Sequence, residues 1–143
     1  QQETLKTKSF KALRGQLPWP ADGRIISKFG RQWNPKLKTT TENPGIDIKG
    51  KPGSSIRTVL GGVVTTITYI RGYGTTIIVD HGGGFYTVYS HVTNIQTNVD
   101  SQVRNGDVIA YMGDAGSING AKLHFEIWGK GQKLDPEKWL RKK

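Results

Sequence analysis

Residues 62–91 read GVVTTITYIRGYGTTIIVDHGGGFYTVYSH. Three runs within them, Val63–Ile70, Thr75–Asp80 and Phe85–Ser90, are rich in Val, Ile, Thr and Tyr, the residue types that suit a pleated, half-buried surface. Gly72 and Gly74 separate the first two runs, and Gly82, Gly83 and Gly84 separate the last two. A tight reversal needs positive φ, which glycine supplies without steric cost, so the stretch predicts strands joined by two hairpin turns. The same punctuation extends outward to Arg24–Phe29, Gly45–Lys49 and Ile56–Leu60 on one side, and to Val108–Met112 and Leu123–Trp128 on the other. The expected fold class is therefore mostly β.

Helix signals stand only at the ends. Phe10 and Leu13 followed by Gly15 predict one short turn, and Asp135-Pro136-Glu137 places a capping side chain, a proline at the first helical position and an acid in the first turn. The second helix is expected to carry Trp139 and Leu140 onto the sheet. Arg31 to Glu42, with Pro35 and few apolar residues, reads as a long surface loop.

A chain of 143 residues is long enough for one compact domain, which directs the search to a single site. Lys and Arg number 21 against 11 Asp and Glu, a formal charge of +10 that favours an anionic partner: wall polymer, membrane surface or acidic protein. Nucleic acid is disfavoured, because the cations are spread from Lys6 to Lys143 with no cluster beside stacking aromatics. The absence of cysteine excludes disulfides, thiolate metal sites and a Cys nucleophile. No apolar run reaches the length of a membrane span, and no leader opens the chain, so the polar start Gln1 to Lys8 reads as a cut inside a longer protein.

Few residues can carry chemistry. His91 and His124 stand at the ends of predicted strands beside turns, where sites usually form, although each alone also fits a hydrogen-bonded structural residue. His81 reads as a turn residue. Asp47 lies between Ile46 and Ile48, and a carboxylate buried in such a strand needs a hydrogen-bonding partner or a metal.

Six segments in order then acquire a joint meaning: Asn43-Pro44-Gly45-Ile46-Asp47, Gly72-Tyr73-Gly74, Asp80 to Phe85, Tyr89-Ser90-His91-Val92, Val103 to Asp107, and Lys122-Leu123-His124-Phe125-Glu126-Ile127. In order and spacing they resemble the lysostaphin-like, LytM-type metallopeptidases over about residues 17 to 141. The resemblance implies an antiparallel, β-sandwich-like fold of the duplicated hybrid motif type, with a groove on one face and short terminal helices. It also implies an N-terminal helical or linker segment over 1–16 and the LytM domain over 17–143. Active members hold zinc through H-x-x-x-D and the last His of H-x-H, leaving a fourth position open to water.

Carried over, Asp47, His91 and His124 match that pattern and two positions depart from it. Asn43 replaces the first ligand with a neutral amide, a poor donor to zinc, and Lys122 replaces the first His of H-x-H with a residue that is ordinarily cationic. Glu42, one residue away, could substitute only through a local bulge, since neighbouring strand residues face opposite sides. The resemblance so altered implies no metal, no cofactor and no catalytic residue.

The opening Phe10 to Pro20, with Gly23-Arg24 and Phe29-Gly30, further resembles the murein hydrolase activators, the EnvC-type subgroup, whose members carry a signal peptide and a coiled coil before this domain. It implies a periplasmic or otherwise extracytoplasmic domain that binds a peptidoglycan amidase through Asn43, Asp47, Tyr73, His91, Lys122 and His124, with Trp128 as a second aromatic at the rim. Peptidoglycan itself is a further candidate partner. Two other readings stay open: a zinc endopeptidase cutting peptidoglycan cross-bridges with an atypical ligand set, and a passive wall-binding module held by charge.

Overall fold

A computed structural model of the chain describes residues 10–113 and 120–143; the stretch Gln1 to Lys8 lies outside them. The strands are β1 (Arg24–Ser27), β2 (Gly30–Asn34), β3 (Thr39–Asn43), β4 (Ile46–Lys49), β5 (Ser55–Arg57), β6 (Gly62–Ile70) and β7 (Gly74–Gly82). They continue with β8 (Phe85–Ser90), β9 (Val92–Thr93), β10 (Gln102–Val103), β11 (Val108–Met112), β12 (Lys122–Gly129) and β13 (Gln132–Leu134). An eight-stranded antiparallel sheet runs β1-β4-β12-β8-β7-β6-β10, with β13 on β12. A smaller sheet, β5-β11-β9, and the two-stranded hairpin β2-β3 complete the fold.

The large sheet owes its shape to alternation. On β12, Leu123, Phe125 and Ile127 are fully buried, as are Ile46 and Ile48 on β4 and Ile77 and Val79 on β7. Period-2 geometry sends the intervening residues Lys122, His124, Glu126 and Trp128 to the opposite face. The glycines of the two hairpin turns adopt positive φ, 88° and 68° at Gly72 and Gly74 and 65° to 89° at Gly82, Gly83 and Gly84. Gly45 matters for another reason: a Cβ there would collide with the Phe125 carbonyl oxygen, so only glycine lets the chain enter β4 this close to β12.

The ends of the described chain meet on the core. Phe10 is fully buried, stacked on Phe85 at 4.8 Å between ring centroids and 5.3 Å from Trp139, so residues before position 17 share this core. The helix Pro136–Trp139 is capped by Asp135, whose side chain accepts from the Glu137 N–H at 3.0 Å, and it buries Trp139 and then Leu140. Leu17 bridges Leu140 in parallel, and the Trp19 indole donates to the Arg141 carbonyl at 2.7 Å.

Two expectations are corrected. Arg31 to Glu42 is not an unstructured loop but most of a hairpin, with Trp33 opposite Thr40 and Arg31 opposite Glu42. Both faces of this hairpin are largely exposed, so no apolar alternation marks it, and its turn is closed by Asn34 Oδ1 accepting from the Lys36 and Leu37 N–H groups. His81 is not a turn residue. It is fully buried on β7, its Nδ1–H donating to the Gly61 carbonyl at 2.9 Å and its Nε2 accepting from the Thr87 hydroxyl at 2.7 Å.

Candidate functional site

The polar face of β12 and its neighbours builds the site. Antiparallel register sets Asp47 of β4 directly opposite His124 on one side, and Ser90 of β8 opposite it on the other. Beyond Ser90 the chain turns at His91, which adopts φ 63° and is pinned by its own N–H to the Tyr73 carbonyl at 2.8 Å and by its carbonyl to the Gly113 N–H at 3.0 Å. A non-glycine residue in this left-handed region is typically strained by about 1 to 3 kcal/mol, a cost concentrated at functional sites. The β6–β7 turn supplies Tyr73, whose ring lies 4.8 Å from that of His124 and 6.4 Å from that of His91.

His124 is the hub. Its Nδ1 meets Asp47 Oδ1 at 2.7 Å and its Nε2 meets Glu126 Oε2 at 2.8 Å. Glu126 Oε1 in turn accepts from the Trp128 indole at 2.7 Å, with the Lys133 ammonium 3.7 Å away. Both ring nitrogens therefore face carboxylate oxygens at donor distance, the arrangement of an imidazolium. Burial alone would lower the His124 pKa, but the hydrogen bonds to Asp47 and Glu126 and their negative charges outweigh it and hold the group above its ordinary value. Burial would likewise raise Glu126; the bonds from His124 and Trp128, with the charges of His124 and Lys133, bring it below the usual range.

His91 behaves oppositely. Burial first, then the positive charges of Lys122 and His124, depress its pKa and leave the ring neutral. Its Nδ1 has no hydrogen-bond partner among the described residues. Tyr73 is raised by burial and by the charges of Glu126 and Asp47, which keeps the phenol protonated. Lys122 makes no ion pair among the described residues.

Asn43 is occupied with local structure. Its amide nitrogen donates to Ser27 Oγ at 2.9 Å, tying β3 to β1, and its carbonyl oxygen accepts from the Gly45 N–H at 3.1 Å, closing the turn into β4. The bond from Gly45 is that of an Asx turn, and the bond to Ser27 uses the amide nitrogen as donor.

All six residues singled out from the sequence, Asn43, Asp47, Tyr73, His91, Lys122 and His124, line one open groove of about 280 Å³, together with Ser27 and Glu42 among others. That volume is at the small end for a site that encloses a ligand, and suits a few side chains of a larger partner. Trp128 does not line it; its indole is committed to Glu126. Glu126 has no role assigned by the motif that contains it, although its position two residues from His124 on one strand places both on one face.

The zinc that LytM-type peptidases carry does not fit these donors. Zinc needs a lone pair from each ligand, and His124 spends both ring nitrogens on carboxylates while Asn43 spends its oxygen on a turn. Glu42 reaches the groove but does not join Asp47 and His124 in a group of metal-binding size among the described residues.

The profile of peptidase family M23 matches residues 41–136. The murein hydrolase activator EnvC of Escherichia coli K12 is 32% identical over 135 residues, covering 94% of this chain and 31% of that protein. The murein hydrolase activator NlpD of Salmonella dublin is 36% identical over 123 residues, 85% of this chain and 30% of that protein. This chain thus spans about a third of the length of these curated relatives. Among solved structures, a zinc-containing peptidase from Vibrio cholerae superposes with a TM-score of 0.78 over 90% of this chain and 41% of its own, at 22% identity, a likeness of fold.

Proposed function

The chain belongs to peptidase family M23, and we propose that it is a non-catalytic member of it: an extracytoplasmic LytM domain that binds and activates a peptidoglycan amidase in cell-wall remodelling and cell separation. Its relatives EnvC and NlpD bear the name of murein hydrolase activators, which supports the activator role and a place at the cell envelope. The observation that carries the reading is that His124 is locked between Asp47 and Glu126 while Asn43 is bonded into a turn. The family resemblance puts Asn43 and Lys122 at positions where active members have histidines.

A groove shaped for an extended peptide keeps its walls after its metal is gone, and its polar groups then serve recognition. Lys122 offers a charge with no ion pair among the described residues, and Tyr73 an aromatic face. An aromatic in a pocket typically contributes much of an interface's affinity, while charge fixes orientation and partner choice. The zinc endopeptidase alternative would require His124 to release a carboxylate and Asn43 to abandon its turn. Peptidoglycan remains a second candidate ligand of the same face.

The test is stimulation of the amidase encoded in the same genome. Tyr73→Ala and Lys122→Glu should each weaken stimulation at limiting domain concentration, a cost of about 1 to 3 kcal/mol in binding, with circular dichroism unchanged. Full stimulation by both variants would move the binding surface off the groove and defeat the proposal.

A further inference from the structure

Cations that are far apart in the sequence are aligned by the sheet. Arg24 of β1 lies directly opposite Lys49 of β4, and Lys49 lies directly opposite Lys122 of β12. Directly opposed residues share a face, so the three side chains project from the same side of the sheet as Asp47 and His124. Adjacent strands are about 4.8 Å apart, which sets three positive charges in a row about 10 Å long.

Like charges directly opposite one another destabilise a sheet, and no ion pair among the described residues relieves them. None of the three makes an ion pair among the described residues, and the nearby Asp47 is already taken by His124. The row begins in the groove, which Lys122 lines, and ends at Arg24, beside Arg141, Lys142 and Lys143 around Trp19. Glu137 is the one acid among the described residues lining that second depression. Lys143 reaches the Gly23 carbonyl and lies over the Trp19 ring, extending the positive surface past the sheet edge.

We infer that the Arg24–Lys49–Lys122 row is the docking strip for an acidic segment of the protein partner, held where that partner leaves the groove. The inference rests on the groove reading above and adds the chemistry of the partner: carboxylates spaced at about 5 Å, matching the strand spacing. Charge complementarity and continuity with the groove both favour a protein segment. A lipid surface would have no reason to enter the groove at Lys122.

The test measures binding of the purified amidase to the domain by biolayer interferometry from about 50 to 300 mM NaCl, a range over which exposed charge contacts are progressively screened. Lys49→Glu and Arg24→Glu, neither of which lines the groove, should each weaken binding by about tenfold at low salt and flatten its salt dependence, while Lys49→Arg retains it. Tyr73→Ala serves as the groove control. If Tyr73→Ala weakens binding and the two charge reversals do not, the strip is refuted and the groove stands. If all three bind like the parent, both readings fall. A parallel arm uses vesicles of phosphatidylglycerol and phosphatidylcholine. Vesicle binding abolished by Lys49→Glu, with amidase binding intact, would assign the row to lipid and overturn the inference.

Discussion

Replacing Glu126 by alanine should destabilise the fold through a residue that no groove contact uses. Glu126 is buried, at 5% relative exposure, and its carboxylate accepts from His124 at 2.8 Å and from Trp128 at 2.7 Å. Hydrogen bonds to charged groups contribute about 1.5 to 3 kcal/mol each, and breaking a buried ion pair by removing one partner typically costs about 3 to 5 kcal/mol. Allowing for water entering the space vacated, we expect a loss of about 3 kcal/mol. An unfolding entropy of about 2.1 cal/mol/K per residue gives about 0.3 kcal/mol/K for a chain of this length, so Tm should fall by about 10 °C. Urea unfolding with linear extrapolation reads the free energy directly. Glu126→Gln makes a sharper control: its amide can still accept from Trp128, but its nitrogen then faces His124 and forces that ring to give up a proton. Nitrogen-15 NMR should show His124 titrating lower in Glu126→Gln than in the parent. A loss under about 1 kcal/mol in Glu126→Ala, with an unchanged His124 titration, would refute the imidazolium bridge.

The other perturbations are simpler. Asn43→His restores an imidazole at the matched position and should raise zinc affinity, but with proton uptake by buffer, because His124 must first release its Nδ1 proton; calorimetry in buffers of different ionisation enthalpy measures this, and zinc binding without proton release would contradict the account. The folded pKa of His124 is raised, so its stabilising contribution is fully present below its unfolded pKa of about 6.5 and is lost as pH rises through the higher folded value. The stability gap between parent and His124→Ala should accordingly be wider at pH 6 than at pH 9 by urea unfolding, and an equal or reversed gap would count against it. Gly45→Ala puts a methyl group onto the Phe125 carbonyl and should cost about 3 kcal/mol or leave the protein insoluble, whereas Gly53→Ala, which meets no neighbouring atom and carries only the strain of its φ of 79°, should cost about 1 kcal/mol.

What the sequence disclosed depended on how locally each signal was written. The core strands announced themselves because β-branched runs alternate with glycine turns, and the Asp135-Pro136 cap is a local arrangement that forms as read. The β2–β3 hairpin escaped notice because a strand exposed on both faces has no apolar period, leaving only the β-branched Thr39, Thr40 and Thr41 as a clue. His81 looked like a turn residue because the glycines after it dominate the local pattern; its burial is set by Phe10, 71 positions earlier, whose ring lies 5.1 Å away. At the site, motif spacing picks out six residues that line one groove but carries no information on hydrogen bonding. It could not show that Asn43 serves a turn or that Glu126 completes the His124 bridge. The cations seemed dispersed for a related reason: register across three strands, which no local pattern encodes, is what aligns Arg24, Lys49 and Lys122.

The proposed role, activating a hydrolase without cutting the wall, can be read directly. The most direct measurement is release of soluble fragments from dye-labelled sacculi by the domain alone, the amidase alone, and the two together, each with and without added zinc. The account predicts no release by the domain alone in either condition and a faster release by the amidase when the domain is present. Zinc-dependent release of cross-bridge peptides by the domain alone, abolished by His124→Ala, would contradict it.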